Sequence, residues 1–220
     1  DYPECTTFMF DFSGQSIFLG CSPERLIKVK NGILNTEALA GTSPRSNDNK
    51  LDQSFSDKLI TSSKENKEHN FVVKQIEEKL KSILKEVKIN RTPEVVKLAN
   101  VQHLKTKISG VLNEKKHILD LVKKFHPTPA VAGTPTSKAI EIINKYEKID
   151  RGWYSGPIGW FDSDGEGEFN VALRSALIKN QTIFIYAGCG IINDSIPQNE
   201  WDESELKMMP IITSLFGDKK

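Results

Sequence analysis

The stretch that decides the fold is RLIKVKNGILNTEAL, Arg25 to Leu39. Two runs that mix apolar and polar residues flank Asn31-Gly32, the strongest short signal for a β-hairpin. Both central residues of such a turn need positive φ, which asparagine and glycine tolerate best. A tight hairpin makes its two strands antiparallel. Working outward, TTFMFDF (6–12) and SIFLGC (16–21) flank the turn residues Ser13-Gly14-Gln15 and read as a second hairpin. Strand-like runs return late in the chain as WYSGPIGWF (153–161), EFNVALRSALI (168–178) and TIFIYAGCGII (182–192). In the middle one, Phe169, Val171, Leu173 and Ser175 alternate with Asn170, Ala172, Arg174 and Ala176, the period of a single strand. That places Arg174 opposite Leu173 among small side chains, with room for a bidentate contact to a ligand carboxylate. The competing reading is an edge-strand arginine in solvent.

Helical segments lie between the two β regions. Ser62 and Glu65 fit a capping box. Beyond them Val72, Ile76, Leu80, Ile83, Leu84 and Val87 recur at helical spacing. Glu68 lies four residues before Val72, on the buried stripe, where a carboxylate is costly unless paired or bound to a metal. Residues 43–61, polar and with Pro44, read as a mobile loop. EVVKLANVQHLKTKISGVL (94–112) reads as a short helix leading into a strand, and 114–125 as another helix. HPTPAVAGTP (126–135) reads as a rigid loop, with Pro135 opening a helix whose Ala139, Ile140 and Ile143 face inward. In EWDESELK, Glu200 to Lys207, positions 200, 203 and 207 share one helix face. They form either a solvated face, with Glu203 and Lys207 as an i, i+4 pair worth a few tenths of a kcal/mol, or half of a metal site.

With 220 residues, 38% hydrophobic and 27% charged, the chain suits an ordinary globular protein. A net charge of +1 supplies no field that would draw nucleic acid or an anionic membrane. Cys5, Cys21 and Cys189 are odd in number and widely spaced, which argues for a reducing compartment and against a disulfide framework or zinc site. DSDGEGE (162–168) imitates the start of a calcium loop but lacks the closing glutamate and has strands on both sides, so a hairpin connection is expected. The chain opens without Met on a strand-like run and reads as a cut through a larger domain.

Taken together in this order and spacing, SPERL (22–26), TEALAGT (36–42), KEHNFVV (67–73), HPTPAVAGTP (126–135), DRGWYSGPIGWF (150–161), ALRSALI (172–178), YAGCGII (186–192) and EWDESELK (200–207) resemble the chorismate-utilising enzymes, within them the isochorismate synthases. The resemblance implies an α+β fold of two packed antiparallel sheets flanked by helices, with 1–220 as part of a single catalytic domain. It implies chorismate as substrate and one Mg²⁺ held between Glu68 and Glu203, with Glu200 reaching the ion through water. Such an ion takes few carboxylates and keeps positions for water and an anionic substrate.

The resemblance also assigns roles. Glu24 is the general acid that protonates the departing ring hydroxyl, which requires a carboxyl kept protonated near neutral pH by burial. Read without the resemblance, Glu24-Arg25 is a strand-end ion pair. Ala40, Gly41 and Thr42 lie against the ring carboxylate, where residue chemistry alone reads a turn. Tyr154 and Arg174 bind the enolpyruvyl carboxylate. Gly188 and Gly190 supply backbone donors, although glycines between strands also mark bulges. Lys207 serves the anion site, and His103 lines the pocket or is a satisfied core histidine.

The implied reaction adds water at one ring carbon and loses hydroxyl from another. The family's base for that water is a lysine on a strand upstream of SPERL. None of the 23 residues before Glu24 is Lys, so an inactive fragment with open sheet edges is expected. No obligatory protein partner is implied, and a cytoplasmic monomer is expected. Anthranilate or aminodeoxychorismate synthases, which take ammonia, salicylate synthase, and a non-catalytic anion-binding fragment remain alternatives. Ala130, where the salicylate-forming relatives carry Thr, favours the isochorismate branch.

Overall fold

The structure, a computed structural model, describes residues 5–217. It is α+β, with two antiparallel sheets. The first sheet runs in the order β1 (Thr6–Asp11), β2 (Ser16–Ser22), β10 (Ser175–Lys179), β11 (Thr182–Tyr186). The second runs β5 (Lys88–Ile89), β7 (Val101–Val111), β4 (Ile33–Pro44), β3 (Arg25–Lys30), β9 (Gly167–Val171), β8 (Pro157–Phe161), with β6 (Glu94–Lys97) also on β7.

The Asn-Gly hairpin forms as its residues dictate. Lys30 pairs with Ile33, and Asn31 and Gly32 take φ of 53° and 70°. Glu166 accepts both turn amides, at 2.8 Å from Asn31 and 2.9 Å from Gly32. Glu166 comes from the 162–166 connection, which is the hairpin loop expected there. The Asp162 carboxylate accepts the Asp164 and Glu166 amides at 3.0 Å each, a local turn rather than a calcium loop.

The main apolar cluster lies between the second sheet and two helices, α2 (Ser63–Leu80) and α3 (Ile118–Phe125). Leu34, Ala38, Val72, Ile76, Leu80, Ile108 and Leu121 meet there. The helical stripe is real, but Ile83 and Leu84 are buried beyond the end of α2.

Several expectations are corrected. Residues 43–61 are not a loop: β4 runs to Pro44, and α1 occupies Asn49–Thr61, with Asp48 as its N-cap accepting the Lys50 and Leu51 amides. The buried face of α1 is polar, Asp52 and Ser56 with Leu59. Asp52 pairs with Arg45 at 2.7 Å and Lys97 at 2.8 Å, and Ser56 donates to Gln102 at 2.6 Å. An apolar pattern cannot reveal such a helix. Glu94–Lys97 is a strand and not a helix; it follows Pro93 and carries two valines, both of which favour extended backbone. Within HPTPAVAGTP, Pro129–Ala132 make one turn of helix, α4. Pro135 caps α5 (Thr136–Tyr146), in which no residue is buried; Ile140 is exposed and Ala139 and Ile143 half-buried. The C-terminal helix α6 (Pro197–Phe216) begins with proline in its first turn and carries EWDESELK.

EFNVALRSALI is not one strand. β9 belongs to the second sheet and β10 to the first, and Ala172 to Arg174 carry the chain between them. Beside it, Pro23 and Glu24 carry the chain from β2 in the first sheet to β3 in the second. Because β2 pairs with β10 and β3 with β9, the two crossings are neighbours. The Cys21 amide donates to Arg174 O at 3.0 Å and the Val171 amide to Glu24 O at 3.0 Å. The Ser22 hydroxyl donates to Val171 O at 2.5 Å and accepts the Glu24 amide at 3.2 Å.

Candidate functional site

The double crossing brings Glu24 and Arg174 from distant parts of the chain to one place. Both are buried, 8% and 6% exposed. Arg174 has φ of 48°, a left-handed conformation that costs a residue with a side chain about 1–2 kcal/mol. The Glu24 carboxyl is pushed up to about 7, first by burial and then by the Glu37 carboxylate, with Lys207 partly opposing. Glu37 is itself buried and held by Lys105 at 2.9 Å and Arg25 at 3.7 Å. The Glu24–Arg25 ion pair is absent: Arg25 reaches Glu168 at 2.7 Å instead.

His103 stands beside Arg174. Its Nδ1 lies 3.1 Å from Gly41 O, which only accepts, so Nδ1 carries the proton. Nε2 is then free to accept from Arg174 Nη2 at 3.0 Å. This fixes one neutral tautomer, and burial, with Lys207 and Arg174 nearby, holds the imidazole well below its usual pKa. His103 is thus a buried histidine with both ring nitrogens satisfied, and it braces the arginine.

Ala40, Gly41 and Thr42 are not a simple turn. They form a bulge inside β4, where the register against β7 shifts between Ala40 and Thr42. Gly41 has φ of +76°, and a methyl group there would meet Glu65 Oε2 at 3.3 Å. Glu65 accepts the Thr42 amide at 3.0 Å. The capping box is thus half formed: Ser62 accepts the Glu65 amide at 3.3 Å, but the Glu65 carboxylate turns to the bulge.

Carboxylates gather between α2 and α6. Glu68 is half-buried and pushed up to about 7 by burial, then by Glu65 and Glu203, with Lys207 and Lys64 opposing. Glu203 is paired with Lys207 at 2.6 Å, and Lys207 also donates to Gly188 O at 3.2 Å. Glu200, 6% exposed, turns to Lys64 at 3.4 Å. Glu68, Glu200 and Glu203 are therefore near one another without being drawn into one coordination sphere; no group of three or more His, Cys, Asp or Glu among the described residues is arranged to hold an ion. Gly190 lies against Glu68, where a methyl group would sit 3.3 Å from its carboxylate. Gly188 lies against Tyr154, whose hydroxyl would be 3.1 Å from such a methyl. The Tyr154 ring stacks on Tyr186 at 5.3 Å, and burial pushes its phenol up to about 12.

The residues missed in the sequence are Lys64, Glu65 and Glu37. A signal for Glu65 was available: Glu65 and Glu68, like Glu200 and Glu203, are three apart and share a helix face, so each helix offers an E-x-x-E pair to the other.

A buried carboxyl with a raised pKa, a braced arginine and an acidic cluster with lysines are the features of the candidate site. The chain belongs to the chorismate-binding enzyme family, whose model matches residues 1–216. It is 41% identical to isochorismate synthase MenF of Bacillus subtilis over 98% of this chain and 46% of that protein. It is 43% identical to the salicylate biosynthesis isochorismate synthase of Pseudomonas aeruginosa, over 89% of this chain and 41% of that one. Among solved structures, an isochorismate synthase DhbC described as putative, from Bacillus anthracis, superposes with a TM-score of 0.91 at 31% identity, covering 97% of this chain and 58% of that one. The chain spans about half the length of the curated relatives it matches. Among the described residues no helix is long and apolar enough to cross a membrane.

Proposed function

We propose that the chain forms part of an isochorismate synthase, which converts chorismate to isochorismate. The observation that carries this reading is Glu24: a carboxyl 8% exposed, pushed up to about 7, beside the crossing that carries Arg174. Such a group is protonated near neutral pH and can donate to a departing ring hydroxyl. That hydroxyl leaves as water while another water adds its oxygen to a different ring carbon and gives up a proton, so atoms and charge balance.

Arg174, braced by His103, takes the enolpyruvyl carboxylate as a bidentate partner, with the Tyr154 hydroxyl beside it. The bulge at Ala40, Gly41 and Thr42 and the Lys207 ammonium receive the ring carboxylate, and Gly188 and Gly190 keep the wall open to backbone contact. Glu68 and Glu203 suit a hard divalent cation such as Mg²⁺: all donors are carboxylate oxygens, and Glu68, pushed up to about 7 first by burial and then by the Glu65 and Glu203 carboxylates, has negative neighbours that a cation would offset. When bound, the ion neutralises charge on the substrate's ring carboxylate. We assign the base for the attacking water to the portion of the relatives' length that this chain does not span.

The test is product analysis of chorismate with Mg²⁺, without ammonia, using the chain alone and the chain completed to the length of its relatives. Isochorismate from the completed protein, lost on chelation, supports the reading. Salicylate moves the chain to another branch, and an aminated product formed only with ammonia moves it to the anthranilate-type branch. No product under any condition overturns the enzymatic reading.

A further inference from the structure

Lys64 has no part in the proposed chemistry, yet it stands inside the acidic cluster. It lies one turn before Glu68 on α2, and its ammonium is 3.4 Å from Glu200 and 3.8 Å from Glu65. Glu200 is almost wholly buried and belongs to α6. Glu65 in turn holds the Thr42 amide at 3.0 Å. Lys64 therefore ties the C-terminal helix to the strand bulge through two carboxylates. Lys207 occupies the matching place on the other side, 2.6 Å from Glu203 and 3.2 Å from Gly188 O.

The charges of this arrangement are informative. Glu65, Glu68, Glu200 and Glu203, ionised as cation binding requires, face two ammonium groups, Lys64 and Lys207. Two negative charges remain, the number that one divalent cation cancels. We propose that Lys64 sets the net charge of this cluster, so that the loaded site is neutral toward an anionic ligand instead of negative. The proposal rests on the reading of the site as one for a divalent cation and chorismate.

It carries a signature that a merely structural role lacks. Replacing Lys64 by an uncharged side chain removes one positive charge from the site the cation enters. The cation then binds more tightly, because a repelling charge is gone. With the cation in place one negative charge is left over, so a dianionic ligand binds more weakly. The two affinities must move in opposite directions. Loss of packing or of helix docking would weaken both. At separations of several Å with water-like screening, either change amounts to about three- to tenfold, and it shrinks as salt is added.

The experiment is isothermal titration of Mg²⁺ into metal-free protein, followed by chorismate into Mg²⁺-saturated protein, for the wild type, Lys64→Gln and Lys64→Arg. The completed protein is used alongside this chain, and circular dichroism checks each fold. Tighter Mg²⁺ and weaker chorismate for Lys64→Gln, with both restored in Lys64→Arg, is the expected result. Weakening of both, no change in either, or equal changes in both lysine variants overturns the charge-setting role. Should Lys64→Gln fail to fold, the wild type and Lys64→Arg are compared with Lys64→Met, and an unfolded Lys64→Met as well identifies Lys64 as structural and overturns the proposal. If the wild type binds neither Mg²⁺ nor chorismate, the reading of the site falls and this inference with it. Binding by the wild type with no opposed effect sinks the inference alone.

Discussion

Glu24→Gln should make the protein more stable at alkaline pH while removing its turnover. The carboxyl rises from 4.5 to about 7 on folding, burial being the largest cause. The folded state therefore holds the Glu24 proton more tightly than the unfolded state, and stability contributed at this position falls as pH rises through that window. Each pH unit in the window corresponds to about 1.36 kcal/mol. Ionised Glu24 thus costs the folded protein about 3 kcal/mol above pH 8 and nothing below pH 4. Glutamine keeps the shape and has no proton to lose. Urea denaturation of wild type and variant at pH 5 and pH 8 reads the effect, and the variant should gain about 2–3 kcal/mol relative to wild type between the two conditions. Glu68, which shifts in the same direction, is present in both proteins and cancels. In the completed enzyme the same variant should retain chorismate affinity and lose turnover, because only the proton donor is gone. A wild-type-to-variant difference identical at both pH values would refute the argument that Glu24 is buried with its charge disfavoured.

Three further outcomes follow from the same site and core. Mg²⁺ should raise the thermal midpoint in a concentration-dependent way, and more at pH 8 than at pH 6, because the cation and the Glu68 proton compete for one carboxylate held near 7; a pH-independent rise would place the ion elsewhere. Gly41→Ala should cost about 1–2 kcal/mol, from φ of +76°, and should speed hydrogen exchange at the Thr42 amide, since the new methyl presses on Glu65; unchanged exchange would show that the bulge and Glu65 are not coupled. Leu34→Ala, at a residue with 0% exposure in the core under α2, should cost about 3 kcal/mol in urea denaturation; a loss well under 1 kcal/mol would mean that the sheet-helix core is not the stabilising one.

Local chemistry makes the hairpins and α2 legible in the sequence. Asn31-Gly32 can do little other than turn, and the residues from Val72 to Leu80 repeat at the spacing of a helix packed on one side. The helix α1 was hidden for the opposite reason: its inward face is Asp52 and Ser56, satisfied by Arg45, Lys97 and Gln102 from elements distant in sequence or not yet placed. The inward face expected of α5, Ala139, Ile140 and Ile143, obeys helical spacing, yet none of the three is buried and Ile140 is exposed. Spacing reports which residues share a face, not whether anything covers it.

The site itself was legible as a set of residue types and illegible as geometry. Alternation in EFNVALRSALI is genuine on each side of Leu173, so the pattern runs unbroken through a point where the chain leaves one sheet for the other. What marks the break is the backbone of Arg174, at φ of 48° with its carbonyl held by the Cys21 amide at 3.0 Å, and no property of an arginine in sequence announces that. The strain has a use. An arginine in mid-strand points to the face opposite its two neighbours; an arginine at a corner is aimed by the turn. Here the turn points it to His103, which the Gly41 carbonyl has already fixed as an acceptor. The bulge in β4, the histidine in β7 and the crossing before β10 therefore form one connected support. A change at Gly41 should be felt at Arg174 through His103 without any direct contact between the two.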